Sequence, residues 1–361
     1  MADLPTVRWG IIVYAATGMI CEWFVTDVLK PDWPEKKANH TIQAIGSSSL
    51  EKCQKFAEKY VAPAKPTVQP TLYGSYQEVY DDASVDCIYI GTPHGFHKKN
   101  CLDAIKAGKN VLCEKAFALN AKEAEEVFAA AKEKGVFVME AMWTRFFPLM
   151  KTLQKMLHEE KKLGTIYRTF SDFGLDFDIP NLPDDSRYKD PTLGAGSLLD
   201  IGIYTLTWGL TTLSDKVGDE AEDPEVVSTQ SIAHGVDLSS QVLLHYRSTG
   251  RQGICTSTTN EPQYKPFTRI EGSKGRILVD AEAPSLPTRF TFYPKDGGKE
   301  EVYTFESPGR GFYWEADAVA LDLQAGRKQN ATMPWAETMR VMRIMDGVRQ
   351  RGGARFPVDD W

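Results

Sequence analysis

With 361 residues, 42% of them hydrophobic and 25% charged, the chain is long enough for two domains and has an ordinary globular composition. Its formal net charge of −7, with no basic run against it, excludes a nucleic-acid surface. No stretch approaches the ~18 consecutive apolar residues of a membrane span, and Met1 to Val7 lacks the features of a secretory signal.

The six cysteines form no C-x-x-C pair and are not grouped with the six histidines, so a reduced, cytoplasmic, metal-free protein is expected. The Lys161-Lys162 pair follows Glu159-Glu160 and reads as solvated surface.

Up to about residue 145, strand-like and helix-like segments alternate. Thr6–Val13 reads as a strand, Gly18–Leu29 as a helix, Thr41–Gly46 as a strand and Leu50–Tyr60 as a helix. Asp86–Thr92 is a buried strand, His97–Ala107 a helix stopped by Gly108, and Asn110–Cys113 a short strand. Ala121–Lys134 is a helix and Val136–Ala141 a strand. This order implies βαβ units with right-handed crossovers, hence a doubly wound parallel sheet of the Rossmann type over residues 1–145. Ligands lie at the carboxyl ends of such strands, where Gly91, Lys115 and Glu140 fall.

Residues 146–361 read differently. Thr165–Gly174, Glu225–Ala233, Leu238–Arg247, Gln252–Thr259, Thr268–Glu271, Arg276–Val279, Arg289–Tyr293 and Glu301–Phe305 follow one another as strands. The helices are Ser197–Thr212, Trp314–Gln324 and Trp335–Arg349. The expectation is an α+β domain with a large open antiparallel sheet, whose last helices can pack back on the first domain.

A dinucleotide site wants glycines after the first strand, so that backbone approaches the pyrophosphate at a helix N-terminus. Here Gly10 is followed by Val13-Tyr14-Ala15-Ala16-Thr17-Gly18-Met19-Ile20, which is not G-x-G-x-x-G; a plain turn reads equally well. The second strand ends in Gly46-Ser47-Ser48-Ser49 with Lys52 one turn on. An acid there would select NAD; small hydroxyls and a lysine favour the 2′-phosphate of NADP, although Ser49 also suits a helix cap. Asp200 and Tyr204, four apart, share one face of a regular helix. A Tyr and an Asp beside a lysine suit alcohol oxidation, which needs a base and a cation to lower its pKa.

Thr92-Pro93-His94-Gly95-Phe96-His97, followed by Ala107-Gly108-Lys109-Asn110-Val111-Leu112-Cys113-Glu114-Lys115, resembles the core motif of the glucose–fructose oxidoreductase / inositol dehydrogenase (Gfo/Idh/MocA) family, with Ala116 in place of the usual proline. Glu140-Ala141-Met142-Trp143-Thr144-Arg145-Phe146-Phe147-Pro148 resembles the corresponding run of its dimeric dihydrodiol dehydrogenase and NADP-dependent D-xylose dehydrogenase branches. Gly194 to Tyr204 resembles G-G-G-x-x-x-D-x-G-x-H with Tyr204 at the histidine, and Glu315–Val319 and Met333–Trp335 match family positions near the C-terminus. Relative to that branch the first loop is about three residues longer.

The resemblance implies catalytic Lys115, Asp200 and Tyr204. The expected cofactor contacts are Gly10, Thr17, Gly18, Met19, Ile20, Ser47, Ser48, Ser49, Lys52, Thr92, Pro93, His94, His97, Glu114, Lys115, Trp143 and Arg145; Arg145 reads equally as scaffold, for instance paired with Glu140. Lys115, Trp143, Phe146, Phe173, Arg187, Asp200 and Tyr204 are expected around substrate. The implied activity is hydride transfer from a sugar or diol CH–OH to NADP rather than NAD, with D-xylose oxidised at C1 first and a trans-dihydrodiol second. A non-catalytic nucleotide sensor and a redox-assisted glycosidase are the rivals on this fold. A homodimer through the C-terminal sheet is compatible with the strand pattern.

Overall fold

The computed structural model describes residues 4–14 and 18–361. The chain forms two compact units. The first contains Met1–Ala118, Lys122–Trp143 and Ser307–Trp335; the second contains Leu119–Ala121, Thr144–Glu306 and Ala336–Trp361.

The first unit is built on six parallel strands: β1 (Thr6–Ile12), β2 (Asn39–Gly46), β3 (Thr71–Tyr73), β4 (Cys87–Ile90), β5 (Asn110–Glu114) and β6 (Val138–Ala141), in the order β3-β2-β1-β4-β5-β6. Between them run α1 (Met19–Val28), α2 (Leu50–Phe56), α3 (Tyr76–Asp81), α4 (His94–Lys106) and α5 (Ala121–Lys134). The doubly wound sheet expected from the alternation is present. The sequence reading lacked β3 and α3, which are too short to show periodicity, and α2 passes into a π-helical turn at Ala57–Val61 where one helix was expected to continue. β4 and β5 are buried on both faces, with every residue of Cys87–Ile90 buried, as a central parallel strand requires.

The unit is completed by α8 (Phe312–Gln324), and two buried carboxylates hold that helix. Asp27 on α1 accepts from the backbone amides of Arg310 at 2.9 Å, Gly311 at 2.7 Å and Phe312 at 3.1 Å, satisfying the open donors of the helix N-terminus. A Cβ on Gly309 would stand 2.1 Å from Asp27 Oδ1, so glycine is needed there. Asp317 accepts from Trp33 Nε1 at 2.9 Å and from the Lys37 amide at 2.8 Å. Its other oxygen lies 3.1 Å from His40 Nε2. Trp9 Nε1 donates to His40 Nδ1 at 3.1 Å, which leaves the proton of the neutral ring on Nε2, directed at Asp317. Burial pushes the His40 pKa down and keeps the ring neutral.

The second unit is an eight-stranded sheet: β7 (Ile166–Gly174), β8 (Glu225–Ala233), β9 (Val236–His245), β10 (Gln252–Thr258), β11 (Thr268–Gly272), β12 (Gly275–Val279), β13 (Arg289–Pro294) and β14 (Glu301–Thr304), in the order β14-β13-β12-β11-β7-β10-β9-β8. It is the large antiparallel sheet expected, except that β7 and β10 run parallel. One face is covered by α7 (Ile203–Leu213), buried along its whole length; Gly209 lets it approach, since a Cβ there would meet Cys255 Sγ at 2.8 Å. The unit also contains the short α6 (Pro148–Gln154) and nearly all of α9 (Trp335–Gly352). Buried Arg349 of α9 pairs with Asp346 and Asp359 and donates to the Leu119 carbonyl, tying Leu119–Ala121 to the end of the chain.

Asp27→Ala leaves three helix-end donors without an acceptor and is expected to lower stability by about 2–3 kcal/mol. Asp27→Asn, which keeps one acceptor oxygen, should lose less. Urea denaturation of both variants, followed by tryptophan fluorescence, checks the order.

Candidate active site

In the first unit the chemistry gathers at the carboxyl ends of β4 and β5. Gly91 follows β4, and a Cβ there would meet Cys21 Sγ at 2.4 Å. The next residues, Thr92 and Pro93, lead into α4, whose histidines brace the neighbouring loop. His94 Nε2 lies 3.2 Å from the Lys115 carbonyl. His97 is fully buried, with Nδ1 3.0 Å from the Ala116 carbonyl and Nε2 2.7 Å from the Thr92 carbonyl. Burial, helped by the Lys115 charge, pushes His97 down to about 4, so the neutral ring donates through one nitrogen at a time. Asn100 holds the Thr92 hydroxyl at 3.0 Å. The motif residues therefore hold the carbonyls of Lys115 and Ala116, and the Lys115–Ala116 peptide is cis.

Glu114 ends β5 in full burial. One carboxylate oxygen accepts from Tyr89 Oη at 2.5 Å, and the other has no hydrogen-bond partner. Burial is the main cause that raises its pKa to about 7; Glu140 adds to it, while the Tyr89 bond, the Lys115 charge and the Lys115 amide oppose it. Glu140 Oε1 accepts from the Phe117 amide at 3.1 Å, directly after the Lys115 loop. Glu315 on α8 is wholly buried and neither of its oxygens has a hydrogen-bond partner. Its pKa lies well above the carboxylate range, through burial and then through Glu114. Tyr89 and Glu315 were missed as site residues in the sequence. The cues in the sequence were the acid inside the apolar run Phe312-Tyr313-Trp314-Glu315-Ala316 and the match of Glu315–Val319 to family positions.

At the β1–α1 turn, Gly10 lies inside β1, where a Cβ would stand 2.7 Å from Val79 and 2.9 Å from Val85, so its lack of a side chain serves packing within the unit. Gly18 is the N-cap of α1, followed by the exposed Met19 and by Ile20. Thr17, and with it most of the longer first loop, lies outside the described residues. The loop's first residue is well anchored: the Val13 carbonyl accepts from Ser47 Oγ and Tyr76 Oη, each at 3.0 Å. Ser49 caps α2 by accepting from the Lys52 amide at 3.4 Å. Exposed Ser48 accepts from Lys52 Nζ at 2.7 Å, so a hydroxyl and an ammonium stand together at the end of β2 with no acid between them. Trp143 is buried against Phe312, with ring centroids 4.3 Å apart.

In the second unit, Asp200 falls in a π-helical segment, Leu198–Gly202, that precedes α7. The regular helix assumed for the Asp200–Tyr204 spacing is thus widened by a π turn, a feature frequent at functional sites. The segment's start is fixed by Asp237, which accepts from Ser197 Oγ at 2.7 Å, the Leu198 amide at 2.8 Å and Ser240 Oγ at 2.7 Å. Gly196, with φ 131°, passes so close that a Cβ would meet Asp237 Oδ1 at 2.2 Å. Tyr204 is buried beside Phe173, with ring centroids 5.7 Å apart, so two expected substrate residues do come together. Arg187 is exposed and stacks on Tyr188. Phe146 is buried. Arg145 forms a buried ion pair with Glu337 at 2.5 Å. Glu337 also accepts from the Gly218 amide at 2.8 Å and faces Arg340, an arrangement that gives Arg145 a scaffold role in its own unit.

Residues 21–142 match the model of an oxidoreductase family with an NAD-binding Rossmann fold, and residues 150–278 match the GFO/IDH/MocA C-terminal domain. The chain is 34% identical to D-xylose 1-dehydrogenase (NADP⁺) of Hypocrea jecorina over 98% of its own length and 93% of the relative's. It is 33% identical to trans-1,2-dihydrobenzene-1,2-diol dehydrogenase of Sus scrofa over 98% and 99%. Among solved structures, KijD10, a 3-ketoreductase from Actinomadura kijaniata, shares the fold with a TM-score of 0.76 at 21% identity, covering 96% of this chain and 97% of that one. With a Rossmann unit, a mixed eight-stranded sheet and these relatives along its length, the chain belongs to the GFO/IDH/MocA family and is an NAD(P)-dependent oxidoreductase acting on CH–OH groups.

Proposed function

We propose that the chain oxidises a sugar CH–OH with NADP, D-xylose at C1 to the lactone being the first substrate and a trans-dihydrodiol the second. The observation that carries this reading is the braced Lys115 loop, held through the carbonyls of Lys115 and Ala116 by His94 and His97 at the carboxyl edge of the sheet. The two candidate substrates are those of two relatives of near-equal identity, and the resemblance of the Glu114–Phe117 and Trp143–Phe147 runs to the D-xylose dehydrogenase branch puts xylose first. Incubation with NADP⁺ and D-xylose should produce NADPH; reduction only with a trans-dihydrodiol reverses the order. A nucleotide sensor would give no turnover, and a redox-assisted glycosidase would cleave aryl glycosides without net NADPH.

Ser48 and Lys52 would hold the 2′-phosphate, and the turn from Gly18 to Ile20, with Thr17, would meet the pyrophosphate at the start of α1. NADP, when bound, supplies the hydride acceptor. Tyr204 is the base in this reading: its phenol, with an ordinary pKa near ~10, needs a neighbouring cation to ionise at neutral pH, and protonated Lys115 provides it. Asp200 holds Lys115 and the substrate hydroxyl. Trp143, Phe146, Phe173 and Arg187 complete the substrate surroundings. The six buried free thiols suit a reducing, cytoplasmic setting.

The same reading pairs two copies through the open face of the eight-stranded sheet. The strand register lines up Val227, Leu243, Ile254, Phe170, Arg269 and Leu278 as one row across that face. Arg269 covers Phe170 at 4.1 Å. Leu243→Arg should convert a dimer to a monomer in light scattering; a wild-type protein that is already monomeric ends this part of the reading.

Ser48→Asp places a carboxylate where the 2′-phosphate would lie and should move cofactor preference from NADP toward NAD, as measured by fluorescence titration of both. Tyr204→Phe and Lys115→Met should each lower kcat by about 10²–10⁴. The double variant should lose little more than either alone, because residues acting as a unit are not additive. The rise of kcat/KM with pH should flatten in Tyr204→Phe; a wild-type profile there would move the proton to Asp200 or water.

A further inference from the structure

The strand order of the first sheet reverses between β1 and β4, which are paired up to Ile12 and Ile90 at their carboxyl ends. The connections leaving these ends diverge, one toward α1 and one toward α4, and open the crevice in which a doubly wound sheet takes its ligand. Neighbouring strands lie only about 4.8 Å apart, so a side chain on one connection can reach the other.

One pair of rings does so. Tyr14, two residues beyond β1, meets Phe96 in the first turn of α4, with ring centroids 5.1 Å apart and planes inclined by 30°. Both rings are half-buried, so neither belongs to the core of the unit. They are held from opposite sides. Val13 continues the pairing of β1 with β2, its amide donating to the Gly46 carbonyl at 2.9 Å, while its own carbonyl accepts from Ser47 Oγ and Tyr76 Oη. Phe96 is set by the start of α4: its amide donates to the Pro93 carbonyl at 2.9 Å, and the next residue, His97, is buried against the carbonyls of Thr92 and Ala116. A tyrosine anchored on the β2 side and a phenylalanine anchored on the β4 side thus touch across the crevice. Tyr14 falls in the stretch by which the first loop exceeds that of the branch it resembles.

We propose that Tyr14 and Phe96 form an aromatic strap across the cofactor crevice, which the dinucleotide must part both to enter and to leave. This rests on the reading above that the pyrophosphate lies at the start of α1, on the β1 side of the same crevice. An aromatic pair favours contact by only about 2- to 10-fold, so the strap opens readily yet is shut most of the time. The same contact is made with and without cofactor, so the strap sets how fast the dinucleotide exchanges and not how tightly it is held.

The test is binding kinetics. Stopped-flow mixing of the protein with NADPH, followed by nicotinamide fluorescence, gives the association rate constant, and a chase with excess NADP⁺ gives the release rate constant. Tyr14→Ala and Phe96→Ala should each raise both constants by about 2- to 10-fold and leave their ratio, the dissociation constant, unchanged. Tyr14→Phe, which keeps the ring, should behave as wild type. The double alanine variant should be no faster than either single one, because one contact is lost in all three. Loss of packing, or of a direct contact to the cofactor, speeds release alone and weakens binding. That result, unchanged rates in both alanine variants, or additive effects in the double variant each overturn the strap. Ser48→Asp separates this from the reading it rests on. If that substitution moves preference toward NAD while the ring variants keep wild-type rates, the cofactor lies along these strand ends and only the strap is wrong. If the wild type binds neither NADPH nor NADH, the reading fails and the strap with it.

Discussion

Asp27 is a buried carboxylate with three successive backbone amides converging on it, and the first unit depends on that contact. The amides belong to the start of α8, a helix that enters the unit from far along the chain. Its N-terminal donors would otherwise be stranded in the interior, and Asp27 would be an unpaired buried charge; each removes the other's penalty. Once α8 is seated, Asp317 closes the His40–Trp33 pair, Phe312 stacks under Trp143, and Glu315 arrives in the acidic cluster beside Glu114. The electrostatic state of the Lys115 loop is therefore partly set by a residue 200 positions later in the sequence.

The same logic operates in the second unit with different residues. There the irregular segment is the π turn Leu198–Gly202, and Asp237 collects two hydroxyls and an amide at its start. In both units a buried acid holds the backbone just before or after residues assigned to chemistry, and in both a glycine, Gly309 or Gly196, gives it room. Rigid backbone next to reacting groups is what positioning within a fraction of an ångström demands.

Periodicity and motif order made the architecture legible. The alternating segments up to Ala141 gave the parallel sheet, and Glu225–Ala233 and Ala121–Lys134 match the observed elements residue for residue. The motif residues around Thr92 and Lys115 were visible because their types and spacing are distinctive. Illegible were features that depend on partners distant in sequence. Asp237 looks like an ordinary turn acid, and the parallel pairing of β7 with β10 leaves no mark in either strand. Arg145 was ambiguous because its partner, Glu337, is 192 residues away. Gly10 resembled a phosphate-loop glycine, yet its neighbours Val79, Val85 and Ile88 show a packing role that only the folded sheet reveals.

The interruption of the first unit by the second has a consequence for how the chain assembles during synthesis. A ribosome delivers β1 to β6 early, but Asp27, His40 and Trp33 must wait for Ser307–Trp335 before their partners exist. The intervening second unit has its own long-range closure, since β7 lies between β10 and β11, strands made about 80 and 100 residues later. The nascent Rossmann half thus leaves the tunnel with an open flank and Asp27 unpaired, with Trp33 and Phe24 lacking their partners Tyr313 and Phe312. For this fold, the order in which residues are made is not the order in which structure is completed, and the interval between the two is when the chain most needs protection from aggregation.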